Sequence, residues 1–319
     1  MSVGDRREGQ TFAHGGSRVV AFMNFVKLPH TLFALPFALV GVVLASYRTP
    51  VTWSTVGWVV LAFTCARFAA MGFNRIVDRE IDARNPRTRR RELPAGILRL
   101  SEAVISVGVA SFVFVVAAWR LNALCAALSP MALGWVFFYS YTKRFTRWSH
   151  LVMGFGLSIA PVGGYLAVAG EWSRPWWLLV ALAFAVATWS GGFDVLYALQ
   201  DVEFDRSQGL HSLPAALGEK NALAIARLLH VGTIVFLGMA GAAAFGGAHA
   251  GSLYALGVAL AAALLVYEHS LVRPDDLSRL DAAFFTMNGV ISIVFFVCVV
   301  LERLLHQSAV LYAGVTTFR

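Results

Sequence analysis

Residues 54–82 read STVGWVVLAFTCARFAAMGFNRIVDREID, some twenty mostly apolar residues that run into Asn74-Arg-Ile-Val-Asp78-Arg-Glu-Ile-Asp82. A hydrocarbon core about 30 Å thick asks for an apolar helix of that length. The pattern recurs downstream, where the apolar run 175–197 leads into Asp194-Val-Leu-Tyr197-Ala-Leu-Gln-Asp201-Val-Glu-Phe-Asp205. Asp78 and Asp82 are spaced like Asp201 and Asp205, 123 residues on, and a Leu-Pro-Ala follows each pair at Leu93–Ala95 and Leu213–Ala215. Outward from these two segments, nine apolar spans are predicted, at 20–46, 54–74, 101–119, 121–141, 150–169, 175–197, 222–246, 251–270 and 281–305. The acidic clusters close spans four apart. The expected fold is therefore all-α, nine transmembrane helices in a bundle arranged as two parallel four-helix repeats plus one.

Composition agrees with this reading. Of 319 residues, 58% are hydrophobic and 14% charged, against about 45–50% and about 25% in soluble domains. That excludes a disordered chain, a disulfide scaffold and an ordinary cytosolic enzyme. Cys65, Cys125 and Cys298 all lie in apolar stretches without metal-ligand spacing, and read as small core residues.

The net charge of +8 reports orientation before it reports ligands. Arg48, Arg120, Arg174, Arg303 and Arg319 belong to one set of links and Arg67 lies inside a span; the other 20 of 26 Lys and Arg flank the opposite set. The positive-inside rule then puts the N-terminus and the acidic links in the cytoplasm. A multi-pass protein of the plasma (inner) membrane is expected. Residues 1–17 form a polar cytoplasmic N-terminus without a cleavable signal pattern, 18–308 a single membrane domain, and 309–319 an extracytoplasmic tail.

Topology gives no reason for acids in the same links. Residues four apart share a helix face, so Asn74, Asp78 and Asp82 form one row, and Asp194, Asp201 and Asp205 another with Tyr197 beside it. All-oxygen ligands suit hard cations, and Mg²⁺ is commonly held by one or two carboxylates together with substrate phosphates. Two such rows could clamp a diphosphate through Mg²⁺. The alternative is a pair of solvated helix ends whose acids pair with neighbouring arginines.

Basic residues complete an anion site. Arg67 shares the face of Asn74 and Asp78, and an arginine inside a span is a functional candidate, although Asp78 could simply be its partner. Tyr139 and Lys143, four apart, aim a phenol and an ammonium the same way, with Arg144 next in line. The run Arg84-Asn-Pro-Arg87-Thr-Arg89-Arg90-Arg91 lacks interleaved aromatics, which argues against nucleic acid. It reads as a phosphate-recognising lid or as a topogenic loop.

These segments resemble the UbiA superfamily of intramembrane prenyltransferases. Its motifs NxxxDxxxD and DxxYxxxDxxxD stand unbroken at Asn74–Asp82 and Asp194–Asp205, and its YxxxK element matches Tyr139 and Lys143. The resemblance implies a nine-helix bundle with a central cavity open sideways to lipid. It implies that Asn74, Asp78, Asp82, Asp201 and Asp205 bind Mg²⁺ and the diphosphate, that Arg67 and Lys143 hold diphosphate oxygens, and that Asp194 and Arg144 lie nearer an aromatic acceptor. Asp78, Asp194 and Asp201 are then the catalytic candidates; Asn74, Tyr139 and Tyr197 join the substrate-binding set.

The stretches Asn24–Pro36, Tyr139–Arg144 and Tyr267–Asp276 resemble the bacterial branch that acts on 4-hydroxybenzoate. That branch includes the enzyme prenylating 1,4-dihydroxy-6-naphthoate. The resemblance thus implies Mg²⁺-dependent transfer from polyprenyl diphosphate to an aromatic acid, in ubiquinone or menaquinone biosynthesis. Phe193, Tyr197 and Tyr139 are candidate aromatic walls for an allylic cation. His30 and His269 could contact the acceptor or sit satisfied at helix ends. Partners are expected to be the two substrates and the bilayer, with no nucleic acid and no obligate protein partner. Rival readings are a prenyltransferase with a chlorophyll, haem or lipid acceptor, a cation transporter, whose acids should lie near the midplane, and a lipid phosphotransferase, whose motif is missing.

Overall fold

The computed structural model describes residues 17–246, 251–272, 277, 280 and 286–316, with 28–33 and 307–316 as backbone only. The expected N-terminal stretch 1–16, the end of the Tyr267–Asp276 motif, the start of the ninth span, the last three residues and the His30 side chain lie outside the described residues. Every described element is helical: α1 (Arg18–Phe25), α2 (Leu28–Ala45), α3 (Trp53–Val77), α4 (Arg79–Arg84), α5 (Leu100–Leu121), α6 (Ala123–Thr142), α7 (Ser149–Ala169), α8 (Trp177–Tyr197), α9 (Val202–Ser207), α10 (Leu213–Leu217), α11 (Glu219–Phe245), α12 (Ser252–Leu271) and α13 (Asn288–Thr316).

Eight of these helices are long and apolar enough to cross a membrane. The first expected span differs from the continuous helix predicted over 20–46. It breaks at Lys27, which sits in the left-handed region (φ 45, ψ 57), and α2 restarts with a proline in its first turn. Pro29 lacks the amide N–H that would continue a helix from α1, and suits the first turn of a new one.

Matching breaks also interrupt the two acidic rows. Asp78 caps α3 with φ −92 and ψ 6 before the six residues of α4. Asp201 ends a short 3₁₀ turn with φ −107 and ψ 7 before the six residues of α9. The rows are therefore bent rather than straight helix faces, and bent alike, as two structural repeats require.

Packing follows the same pairing. α3 lies on α5 as α8 lies on α11, and α2 meets α7 where the halves join; α13 closes the bundle against α2 and α12. The α2–α7 seam depends on small residues. A Cβ at Gly41 would meet the Pro161 carbonyl oxygen at 2.0 Å, and one at Gly164 the Ala38 oxygen at 2.0 Å. Asn122 ties α6 to α7 by accepting from the Cys125 amide and donating to the Leu166 carbonyl.

The core is off-centre. It gathers Phe37, Trp189 and Phe295, with ring centroids 4.7 and 6.0 Å from Phe37, around α8, whose residues are mostly buried whereas those of α6 are mostly not. Val104, Ile105, Val109 and Phe112 on α5, and Leu228, Val231 and Val235 on α11, point outward. In water such apolar faces would be a liability; in a bilayer they are the solvent-matched surface. Trp53, Trp119, Trp172 and Trp176 ring one end of the bundle and Trp148 the other, the belt expected at membrane interfaces.

Candidate active site

The helices α3, α6, α7 and α8 enclose a cavity of about 720 Å³, capped by the links that follow α3 and α8. Its deeper walls are apolar, from Phe63, Leu128, Met153 and Phe193 among others, and its other end is lined by charge. All eleven candidate residues line it: Arg67, Asn74, Asp78 and Asp82 from the α3–α4 arm, Tyr139, Lys143 and Arg144 from the end of α6, and Asp194, Tyr197, Asp201 and Asp205 from the α8–α9 arm. Lys27, at the break before α2, lines it as well.

Lys143 is the meeting point of the two arms. Burial works against its ammonium, but Asp205, Asp201, Asp194 and Asp78 outweigh it and hold the group above the usual lysine range. Opposite charges favour the charged form even where desolvation opposes it. Asp78 shows the reverse balance: burial raises its carboxyl, the Arg144 hydrogen bond opposes this, and Asp82 pushes it further up.

Three of the acids are engaged by arginines. Arg87 forks onto Asp201, with Nε donating at 3.0 Å to Oδ1 and Nη2 to Oδ2, while Asn85 donates to the same Oδ1 at 3.0 Å. Arg91 donates to both oxygens of Asp82 at 2.8 and 3.0 Å. Arg144 donates to Asp78 Oδ1 at 3.1 Å and to the Val77 carbonyl, and Asn74 donates to Asp78 Oδ2 at 3.0 Å. Planar forks on carboxylates are among the stronger polar contacts a protein makes. Arg67 is thus not the partner of Asp78, and two members of the 84–91 run are counterions rather than free phosphate ligands.

Among the buried polar atoms that stay unsatisfied at the site, one on each acidic arm stands out. Arg67 Nε and Asp205 Oδ2 are buried with no hydrogen-bond partner, one a cationic donor and one an anionic acceptor. Buried polar atoms are normally paired, so both are open to a ligand of opposite character. No cluster of three His, Cys, Asp or Glu with metal-ligating geometry exists among the described residues.

Tyr197 lies between two cations. Arg87 donates to its hydroxyl at 3.1 Å and sits 5.2 Å from its ring, and the Lys27 ammonium is 5.6 Å from the ring. Asp194 differs from the other acids in being bonded to an imidazole, His150, at 2.6 Å. Asn85 and His150 carry no motif of their own in the sequence. Lys27 had one signal, a lone cation inside an apolar run just before Leu-Pro. His269 sits near the end of α12, away from the cavity, with its Nε2 2.9 Å from His230 Nδ1 and its own Nδ1 buried without a hydrogen-bond partner.

Residues 34–290 match the model of the UbiA prenyltransferase family. The chain belongs to that family. As a UbiA prenyltransferase it is an enzyme and an integral membrane protein. Its relatives include the 4-hydroxybenzoate octaprenyltransferase of Sodalis glossinidius, 31% identical over 77% of this chain and 81% of the relative. The enzyme of the same name from Vibrio vulnificus is 31% identical over 82% and 88%. Among solved structures, an apo UbiA homolog from Aeropyrum pernix K1 is 32% identical, with a TM-score of 0.76 over 86% of this chain and 98% of that one. A UbiA homolog from Archaeoglobus fulgidus bound to GPP and Mg²⁺ shares the fold at a TM-score of 0.68 and 18% identity, over 89% and 99%.

Proposed function

We propose that this prenyltransferase moves a polyprenyl group from polyprenyl diphosphate to a ring carbon of 4-hydroxybenzoate, at the cytoplasmic face of the inner membrane and with Mg²⁺. The observation that carries the reading is the convergence of both acidic arms on Lys143 above an apolar cavity. A polar head group and a long apolar tail need that combination, each buried methylene contributing about 0.8 kcal/mol. The names of the relatives support the acceptor, and the excess of Lys and Arg beside the acidic links supports the orientation.

The donor set suits a hard divalent cation: oxygen ligands only, with Asp205 Oδ2 buried and unpartnered. Asn74, Asp78, Asp82, Asp201 and Asp205 would hold it. Bound there, Mg²⁺ would offset charge on the departing diphosphate. Arg67 and Lys143 would grip diphosphate oxygens, the fixed electrostatic support that such steps depend on. As the C1–O bond breaks, its electron pair leaves with the diphosphate, and the ring carbon attacks C1. Loss of the ring proton restores aromaticity. Phe193, Tyr139 and Tyr197 would steady the allylic cation and keep water from it. Asp194 would accept the hydrogen bond of the acceptor hydroxyl and so enrich the ring.

The test is to incubate membranes containing the protein with labelled polyprenyl diphosphate, Mg²⁺ and either 4-hydroxybenzoate or 1,4-dihydroxy-6-naphthoate. A prenylated 4-hydroxybenzoate is expected. Exclusive use of the naphthoate would reassign the acceptor, and no aromatic product at all would sink the reading.

A further inference from the structure

The link after α6 delivers Ser149-His150 into the first turn of α7, directly under Asp194 of α8. His150 is fully buried. Its Nε2 accepts from the Leu213 amide at 3.4 Å, so the ring proton sits on Nδ1, which donates to Asp194 Oδ2 at 2.6 Å. A second hydrogen bond that sets the tautomer is how proteins fix an imidazole's direction of donation.

Asp194 lines the cavity with its side chain 18% exposed. Among the described residues no other side chain hydrogen-bonds it. Asp78, Asp82 and Asp201, by contrast, are each bonded by a guanidinium. A carboxylate bonded by a guanidinium has its charge already offset by that cation. One held by a neutral N–H keeps its charge and its second oxygen for a ligand.

We propose that His150 is a positioning residue that holds Asp194 so that Oδ1 faces the cavity and accepts the hydrogen bond of the acceptor's ring hydroxyl. This rests on the aromatic-acceptor reading above. Through Leu213 the same imidazole ties that orientation to α10, which lies in the link between α9 and α11. Asp194 thereby differs from the arginine-bonded acids Asp78, Asp82 and Asp201 that line the same cavity.

The experiment measures KM and kcat separately for polyprenyl diphosphate and 4-hydroxybenzoate in membranes carrying wild-type, His150→Ala, His150→Asn, Asp194→Asn or the double variant His150→Ala/Asp194→Asn. Asparagine returns an N–H close to the Nδ1 position. His150→Ala and Asp194→Asn should each lower kcat/KM for the acceptor on the order of 100-fold, the cost of a misplaced reacting group. The donor KM should stay unchanged, His150→Asn should recover most of the loss, and the double variant should be no slower than the slower single. Equal loss against both substrates without rescue by asparagine would overturn the inference, as would full activity in His150→Ala. A wild type that prenylates no phenolic acid would overturn the acceptor reading and the inference with it. Nuclear magnetic resonance of isotope-labelled histidine gives a readout independent of turnover. One Nδ1-protonated ring with a far-downfield proton, lost in Asp194→Asn, is expected; its absence overturns the pairing.

Discussion

Asp201 receives the Arg87 fork and the Asn85 amide at once, an engagement that spacing along the chain does not reveal. Asp201→Asn is expected to cut transfer at least about 100-fold, as removal of one preorganised electrostatic group commonly does, with initial rates as the readout. The same change leaves Arg87 half-buried beside a neutral amide. Breaking a buried pair costs about 3–5 kcal/mol, so thermal unfolding should fall too. Chelation of divalent ions should abolish transfer in the wild type, and added Mg²⁺ should restore it. Lys143 makes a prediction about pH. Its folded pKa is raised above the ordinary 10.5, so the stability it contributes is fully present below 10.5 and is lost as pH climbs through the higher folded value. Melting temperatures of the purified protein should drop on that alkaline limb, and Lys143→Met should be less stable at neutral pH and lack it. The candidate site was legible in the sequence because its acids recur at one spacing in two places. Their partners were not, since Arg87 reaches Asp201 across more than a hundred residues of chain.

α2 and α7 touch through backbone, and their seam belongs to Gly41 and Gly164. A methyl group at Gly164 would lie 2.0 Å from the Ala38 oxygen, so the helices must separate to admit it. Gly164→Ala is expected to destabilise by about 1–3 kcal/mol, the usual penalty for overpacking, and Gly164→Leu by more. Thermal denaturation in detergent measures both. Apolar periodicity located the spans well, because a bilayer demands length and composition of every crossing helix. It did not reveal the break at Lys27 or the kinks at Asp78 and Asp201. Those depend on the residues that each arm must reach once the bundle is assembled.

Across the whole molecule, charge asymmetry and architecture point the same way. The acidic arms, the Arg84–Arg91 run and Lys143 gather at one end, and Trp53, Trp172 and Trp176 stand at the other. In intact cells a membrane-impermeant thiol reagent should label Trp172→Cys, and label Arg89→Cys only after lysis; the reverse pattern would invert the topology. Apolar length, charge bias and motif spacing are properties of the chain, so the helical membrane bundle, its internal repeat and the acids and bases of the candidate site could be read along it. Which arginine answers which aspartate, that Asp194 leans on His150, and that both arms close over one cavity emerge only once the helices are packed. Burial makes charges seek the nearest compensating partner in space, and sequence distance says little about who that partner is.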